Sequence, residues 1–320
     1  MLGPALLHSV SYSGSWGQAA LSVEEFVDKA ADLGFQGVML MAKRPHLSPL
    51  DFDEPARTRL RSRIEKRGLT KVCIAGYNNF TADLEHGEVP HREIQILYVV
   101  ELARLARDLG GDVVRIFTGY EHCAGAFTAQ WNMIVGALKE CARRTADLGV
   151  TIGVQNHHDI GVGWQSFRDL ILAVGEPNCR AMFDAWSPAL HGDELGTAAR
   201  SLAPLTVHTT VADYQLRPRF RYNPNIVNYE AQPPYTLAVP MGEGFINYAE
   251  FFYGLAHGGF EGSVAYEMCS MLRDGGSMET LDRYARLFLH YLEGVRADWV
   301  SRGNSGLVGA KTHPEGSNAP

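Results

Sequence analysis

Short apolar runs alternate along this chain with longer segments in which apolar residues recur every three or four positions. The short runs lie at 6–10, 37–41, 71–75, 113–117, 151–155, 181–184, 206–208 and 263–267. Most lack the apolar–polar alternation of a half-exposed strand, as expected for parallel strands covered on both faces. The longer segments carry helix signals. Ser22 and Glu25 form a capping-box pattern ahead of Val23, Phe26, Val27 and Ala30, and Gly34 closes that segment. Ile134, Leu138, Cys141 and Ala142 share one stripe of the segment 130–149, and Leu281, Tyr284, Phe288 and Tyr291 keep the same spacing. A strand–helix order counted to eight predicts an α/β chain folded as a single (β/α)₈ TIM barrel over residues 1–300. Two segments depart from it. Residues 212–244 are too long for a barrel loop and dense in Pro, Arg and aromatic residues. They read as an insertion after the seventh strand, serving as a lid, an aromatic-aglycone pocket or a subunit contact. Residues 301–320 are rich in Gly, Ser and Pro, the composition of a flexible tail.

A barrel of this type carries its chemistry at the C-terminal ends of its strands, so those ends are the places to look. The fifth run ends Gln155-Asn156-His157-His158, the sixth Asp184-Ala185-Trp186, the seventh at His208 and the eighth at Glu267. An amide oxygen, two carboxylates and an imidazole on four successive strands suit a divalent cation held by Gln155, Asp184, His208 and Glu267. The oxygen-rich set favours Mn²⁺, with Mg²⁺ or Co²⁺ as alternatives. His157 is the candidate base, since imidazole titrates near neutrality, and Glu267 is a second catalytic candidate. His8, Lys43, Asn78 and Thr118 follow the first four strands. With His158 and Trp186 they are candidates for binding sugar hydroxyls or a ring face, although each also suits ordinary packing.

These strand ends resemble the sugar phosphate isomerase/epimerase group of xylose-isomerase-like TIM barrels, over nearly the whole chain to about residue 295. That group has Glu-Asn-His on strand five, Asp on six, His on seven and Glu on eight, with a Gly-x-Gly segment matched here by Gly242-Glu243-Gly244. The chain departs from it at Gln155, where the group has Glu. An amide can donate an oxygen to a metal but cannot accept a proton at neutral pH. The resemblance implies epimerisation by two glutamates, of which only Glu267 remains. A lyase that abstracts a proton beside the ketone of a 3-oxo-glycoside and then eliminates needs one base, so it is the first expectation. The large subunits of C-glycoside deglycosidases, which this branch resembles, act in this way. The alternatives are a metal-dependent sugar isomerase or epimerase and a non-catalytic sugar-binding barrel.

Composition narrows the partners. A net charge of −7 over 320 residues gives no basic face for nucleic acid, and no apolar run is long enough for a membrane span. The five scattered cysteines fit reduced thiols, and the N-terminal residues show no signal pattern, so the expected setting is the cytoplasm. The expected ligand is a small sugar or glycoside. An oligomer is expected too, and the resemblance adds the option of a small accessory subunit.

Overall fold

The computed structural model describes residues 2–123 and 125–303. Eight parallel strands form its centre: β1 (Ala5–His8), β2 (Gly37–Met41), β3 (Lys71–Ala75), β4 (Val113–Ile116), β5 (Thr151–Gln155), β6 (Cys179–Met182), β7 (His208–Val211) and β10 (Ser263–Tyr266). They pair in the order β6-β5-β4-β3-β2-β1-β10-β7. The remaining gap is bridged where the Val207 N–H donates to the Ala181 carbonyl at 3.0 Å, beside a parallel bridge from Ala181 to Thr206. The sheet is thereby rolled into a (β/α)₈-type barrel.

The helices on the outside follow the sequence signals. Helix α1 (Val23–Asp32) starts at Ser22, which accepts from the Glu25 N–H while the Glu25 carboxylate accepts from the Ser22 N–H. Val23, Phe26, Val27 and Ala30 are buried on its inner face. Helix α4 (Phe127–Arg144) buries Ile134, Leu138, Cys141 and Ala142 in the same way. The last helix, α9 (Met278–Gly303), buries Leu281, Tyr284 and Phe288. It runs through residues 301–303, where a flexible tail was expected; residues 304–320 lie outside the described residues. Inside the barrel, a separate apolar cluster of Leu6, Met39, Cys73, Ala75, Val113, Met182 and Ala265 fills the floor.

The insertion is more ordered than a long loop. Strands β8 (Asp213–Asn223) and β9 (Asn228–Val239) form one antiparallel hairpin with a register shift between Arg217 and Arg219, beside Pro218. Its base is buried at Tyr214, Ala238 and Val239, whereas Phe220, Tyr222, Ile226 and Tyr229 are exposed toward the tip. Asp213 anchors the base. Its carboxylate accepts from the N–H groups of Gly242 and Gly244 at 2.9 Å and of Tyr214 at 3.0 Å. A Cβ at Gly244 would lie 1.8 Å from Asp213 Oδ1, so the Gly-x-Gly segment folds closely around this carboxylate.

Strand limits correct the sequence reading at two places that bear on function. The sixth strand was expected at 181–184 and runs Cys179–Met182, leaving Asp184 just beyond its end. The seventh was expected at 206–208 and runs His208–Val211. His208 therefore opens that strand instead of closing it.

Candidate active site at the barrel mouth

Side chains alternate across a strand, so residues two apart face the same way. Ala265 is in the floor cluster and pairs in register with Thr210, and Ser263 pairs with His208. Both His208 and Thr210 thus face inward, His208 near the bottom and Thr210 near the mouth. The His208 ring meets Ser263 Oγ at 2.6 Å through Nδ1, and its Nε2 has no hydrogen-bond partner. Burial holds its pKa down to about 3, helped by Lys71 at the start of β3 and by Arg115.

A cavity of about 150 Å³ opens above, lined by Gln155, His157, Asp184, Trp186, Thr210 and Glu267, with Tyr214, Thr236, Tyr248 and Cys269 from the hairpin side and the β10 end. Drug-sized ligand pockets span roughly 300–1,000 Å³, so this space suits a small ligand. Gln155 spends both amide hydrogens on its neighbours. Its Nε2 donates to Asp184 Oδ2 at 2.5 Å and to Thr210 Oγ1 at 3.1 Å. Asn156 fixes the Asp184 backbone by accepting from its N–H at 2.8 Å and donating to its carbonyl at 3.2 Å. The Trp186 N–H donates to Asp184 Oδ1 at 3.1 Å.

The two carboxyls are both hard to ionise. Burial raises Asp184 to about 7, against the pull of the Gln155 amide and with a further push from Glu267. Burial also raises Glu267, opposed by the Arg115 guanidinium. Glu267 lies 3.8 Å from His8 Nε2 and accepts from the Cys269 thiol at 3.4 Å. His157 stands at the rim with its ring 4.8 Å from that of Phe117. Desolvation on the packed side, with Arg115 adding, lowers its pKa to about 4, so the imidazole is neutral at physiological pH. Its Nδ1 accepts the His158 N–H at 2.8 Å, which leaves Nε2 for other partners.

The other sequence candidates divide. Trp186 lines the cavity and packs edge-on against Tyr214, with ring centroids 4.6 Å apart. His158 turns aside with φ +69° and stacks on Tyr120 at 4.2 Å. Asn78 is occupied by the backbone of Phe117, donating to its carbonyl and accepting from its N–H. Thr118 donates to the His157 carbonyl. Lys43 lies over the Tyr77 ring at 4.0 Å, and His8 is fully buried beneath the mouth. The residues that sequence reading missed are Thr210 and Arg115. Both carried a signal: Thr210 follows His208 by the two-residue strand period, and Arg115 interrupts the apolar run Val113-Val114-Arg115-Ile116-Phe117.

The donors at the mouth do not fit a divalent metal. Among the described residues, no group of three or more His, Cys, Asp or Glu side chains could hold one. Of the set expected to hold Mn²⁺, His208 lies below with its Nδ1 on Ser263, and Gln155 brings an amide without negative charge. What remains is two carboxyls whose pKa values burial raises, an amide and a hydroxyl.

The family model described as a xylose isomerase-like TIM barrel matches residues 27–287. Among curated proteins, none matches the chain. Its fold is similar to the solved D-psicose 3-epimerase with D-tagatose from Clostridium cellulolyticum H10, at 17% identity and a TM-score of 0.68 over 91% of this chain and 99% of that one. It is also similar to an L-ribulose 3-epimerase, at 21% identity and 0.68 over 94% and 98%. A third likeness is the probable 3-DHS dehydratase involved in petrobactin synthesis from Bacillus anthracis, at 19% identity and 0.67 over 90% and 99%.

Proposed function

The chain belongs to the xylose isomerase-like TIM barrel family, and we propose that it is a carbohydrate enzyme that moves a proton at the carbon beside a carbonyl, as an isomerase or epimerase does. The observation that carries this reading is the pairing of Asp184 and Glu267. Two carboxyls of raised pKa share one small cavity, with a neutral imidazole at its rim. Groups whose pKa values approach the working pH are the ones able both to take and to give a proton.

In this mechanism Glu267, whose pKa burial raises against the opposing pull of Arg115, removes the proton from carbon in its ionised form. Asp184, with a pKa of about 7, donates to the carbonyl oxygen as negative charge develops there. Gln155 cannot return a proton and the neutral His157 ring has none to give, so the protonated Glu267 carboxyl returns it to the neighbouring carbon while Asp184 takes back the hydroxyl proton, as a one-base isomerase does. Asn156 and the Trp186 N–H hold Asp184 in place, and Trp186 with Tyr214 walls the cavity with aromatic surface. The fold likeness to solved sugar epimerases supports this class.

β-Elimination from a 3-oxo-glycoside, the first expectation from the sequence, begins with the same proton removal. One observation favours it: the cavity holds a single glutamate, Glu267, and elimination needs one base. The fold neighbour titled a dehydratase is compatible with it. Incubation with free ketohexoses and with 3-oxo-glucosides separates the two. The isomerase reading expects a rearranged sugar; a released aglycone would replace it with elimination, and an unchanged mixture in both arms would overturn both.

A further inference from the structure

Arg115 is a buried cation on β4, and among the described residues it has no carboxylate in ion-pair contact. It projects from β4 and is 97% buried, being 3% exposed. Its Nε and Nη1 have no hydrogen-bond partner, and its Nη2 lies 3.5 Å from His8 Nε2. The rings of Phe117 and Tyr77 take up part of the charge, with the guanidinium carbon 4.1 Å and 4.8 Å from their centroids. A buried charge without a contacting counter-ion is costly, so its position calls for a reason. On the opposite wall lie Asp184 and Glu267, with His8 as the link: His8 Nε2 is 3.5 Å from the guanidinium and 3.8 Å from Glu267. The His8 Nδ1 accepts the Val10 N–H, so the neutral ring keeps its proton on Nε2, a donor suited to the Glu267 carboxylate and not to the guanidinium.

We infer that this barrel mouth takes no divalent metal and that the Arg115 guanidinium is its fixed positive charge. Two departures in chemistry agree with each other. The wall that would coordinate a cation has Gln155 and Thr210 where further anionic or imidazole donors are needed. Behind the cavity lining, separated from Glu267 by His8, sits a buried guanidinium that would repel a second cation. An arginine in this environment is always charged and needs no loading from solution. It acts through Glu267 and through the field across the cavity, as a positioning residue for the carboxylate. The inference rests on the proposed reaction only for the location of the site, because metal binding is read without substrate.

The test is Mn²⁺ titration followed by electron paramagnetic resonance and calorimetry on three full-length proteins. Wild type is expected to show no saturable stoichiometric site. Arg115→Met removes the repelling charge while keeping side-chain length, and it is expected to show weak Mn²⁺ binding where wild type shows none, since charges a few ångströms apart interact strongly inside a protein. The double variant Gln155→Glu/Thr210→His adds the two absent donors and is expected to gain one tight site. One Mn²⁺ per wild-type chain, lost in Asp184→Asn, overturns the inference. So does a double variant that is folded by circular dichroism yet gains no metal, or an Arg115→Met variant that binds no more Mn²⁺ than wild type. Failure of every substrate in the activity assay, with this metal pattern intact, would count against the proposed reaction alone.

Discussion

The two halves of the barrel mouth are built from opposite chemistry. The half formed by β5, β6, β7 and β10 presents Gln155, Asp184, Thr210 and Glu267 to the cavity. The half formed by β1 to β4 holds His8, Tyr77, Arg115 and Phe117 packed behind the cavity lining, with Lys43 over the Tyr77 ring. The first half carries acids whose pKa values burial raises, and the second carries an arginine. β1 pairs with β10, so His8 and Glu267 meet at the seam between the halves. The difference teaches that a barrel can fix the polarity of its mouth with side chains alone. The field then points from Arg115 to Glu267 before any ligand arrives, which is the preorganisation that proton abstraction requires.

Removing the acid at the seam should do the most damage. Glu267→Gln keeps the shape and loses the base, and the turnover rate is expected to fall by roughly 10²–10⁴-fold, the usual contribution of a positioned base. Steady-state kinetics on whichever sugar is converted checks this. The opposite half is tested by Arg115→Met, which should lower activity and yet leave the melting temperature equal to or above that of wild type. Replacing an unpaired buried charge with an apolar side chain of similar length is commonly neutral or stabilising. A large drop in melting temperature would mean that the guanidinium holds the wall together and is no functional element.

Asp184 gives a pH-dependent sharpening. Its folded pKa of about 7 lies above the ordinary 3.8, so the folded state binds the proton more tightly than the unfolded one. Its contribution to stability is then fully present below about pH 4 and is lost as pH rises through about 7. Relative to Asp184→Asn, wild type should lose stability across that window and differ by a constant amount above it. Chemical denaturation at a series of pH values reads the difference directly. The smallest effect is expected outside both halves. Replacing residues 219–232 of the hairpin with a short turn removes exposed positions such as Phe220, Tyr222 and Tyr229. Barrel stability should stay within about 0.5 kcal/mol, while a lower molecular mass by light scattering would mark the tip as the subunit contact that its composition suggests.

The barrel was legible in the sequence because parallel strands buried on both faces leave continuous apolar runs, and five of the eight cores were bounded to within a residue at both ends or nearly so. The site was less legible where one strand limit slipped. Residues 206–208 look like a strand ending in a histidine, and that shift of a strand by a few residues put His208 at the mouth. The true strand, His208–Val211, leaves the mouth position to Thr210, which has no metal-binding character to attract notice. Period-two alternation keeps both residues on the inner face, so only depth along the barrel separates them, and depth is a property of the assembled register. The hairpin over 213–239 was hidden by its prolines and arginines, which suggest a loop, although Tyr214, Tyr222, Tyr229 and Tyr235 have the aromatic bias of strands. Arg115 was passed over because a charge within an apolar run reads as an outward-facing residue until the neighbouring strands are in place.

In the proposed reaction Glu267 exchanges a proton with substrate carbon under the field of Arg115. Wild-type protein treated with a chelator and transferred to D₂O with the converted sugar tests it most directly, by following deuterium at the carbon beside the carbonyl with NMR. The account predicts incorporation at that carbon in the chelated enzyme, with the rate reduced by roughly 10²–10⁴-fold in Glu267→Gln. Incorporation that stops on chelation, or that continues unchanged in Glu267→Gln, would contradict it.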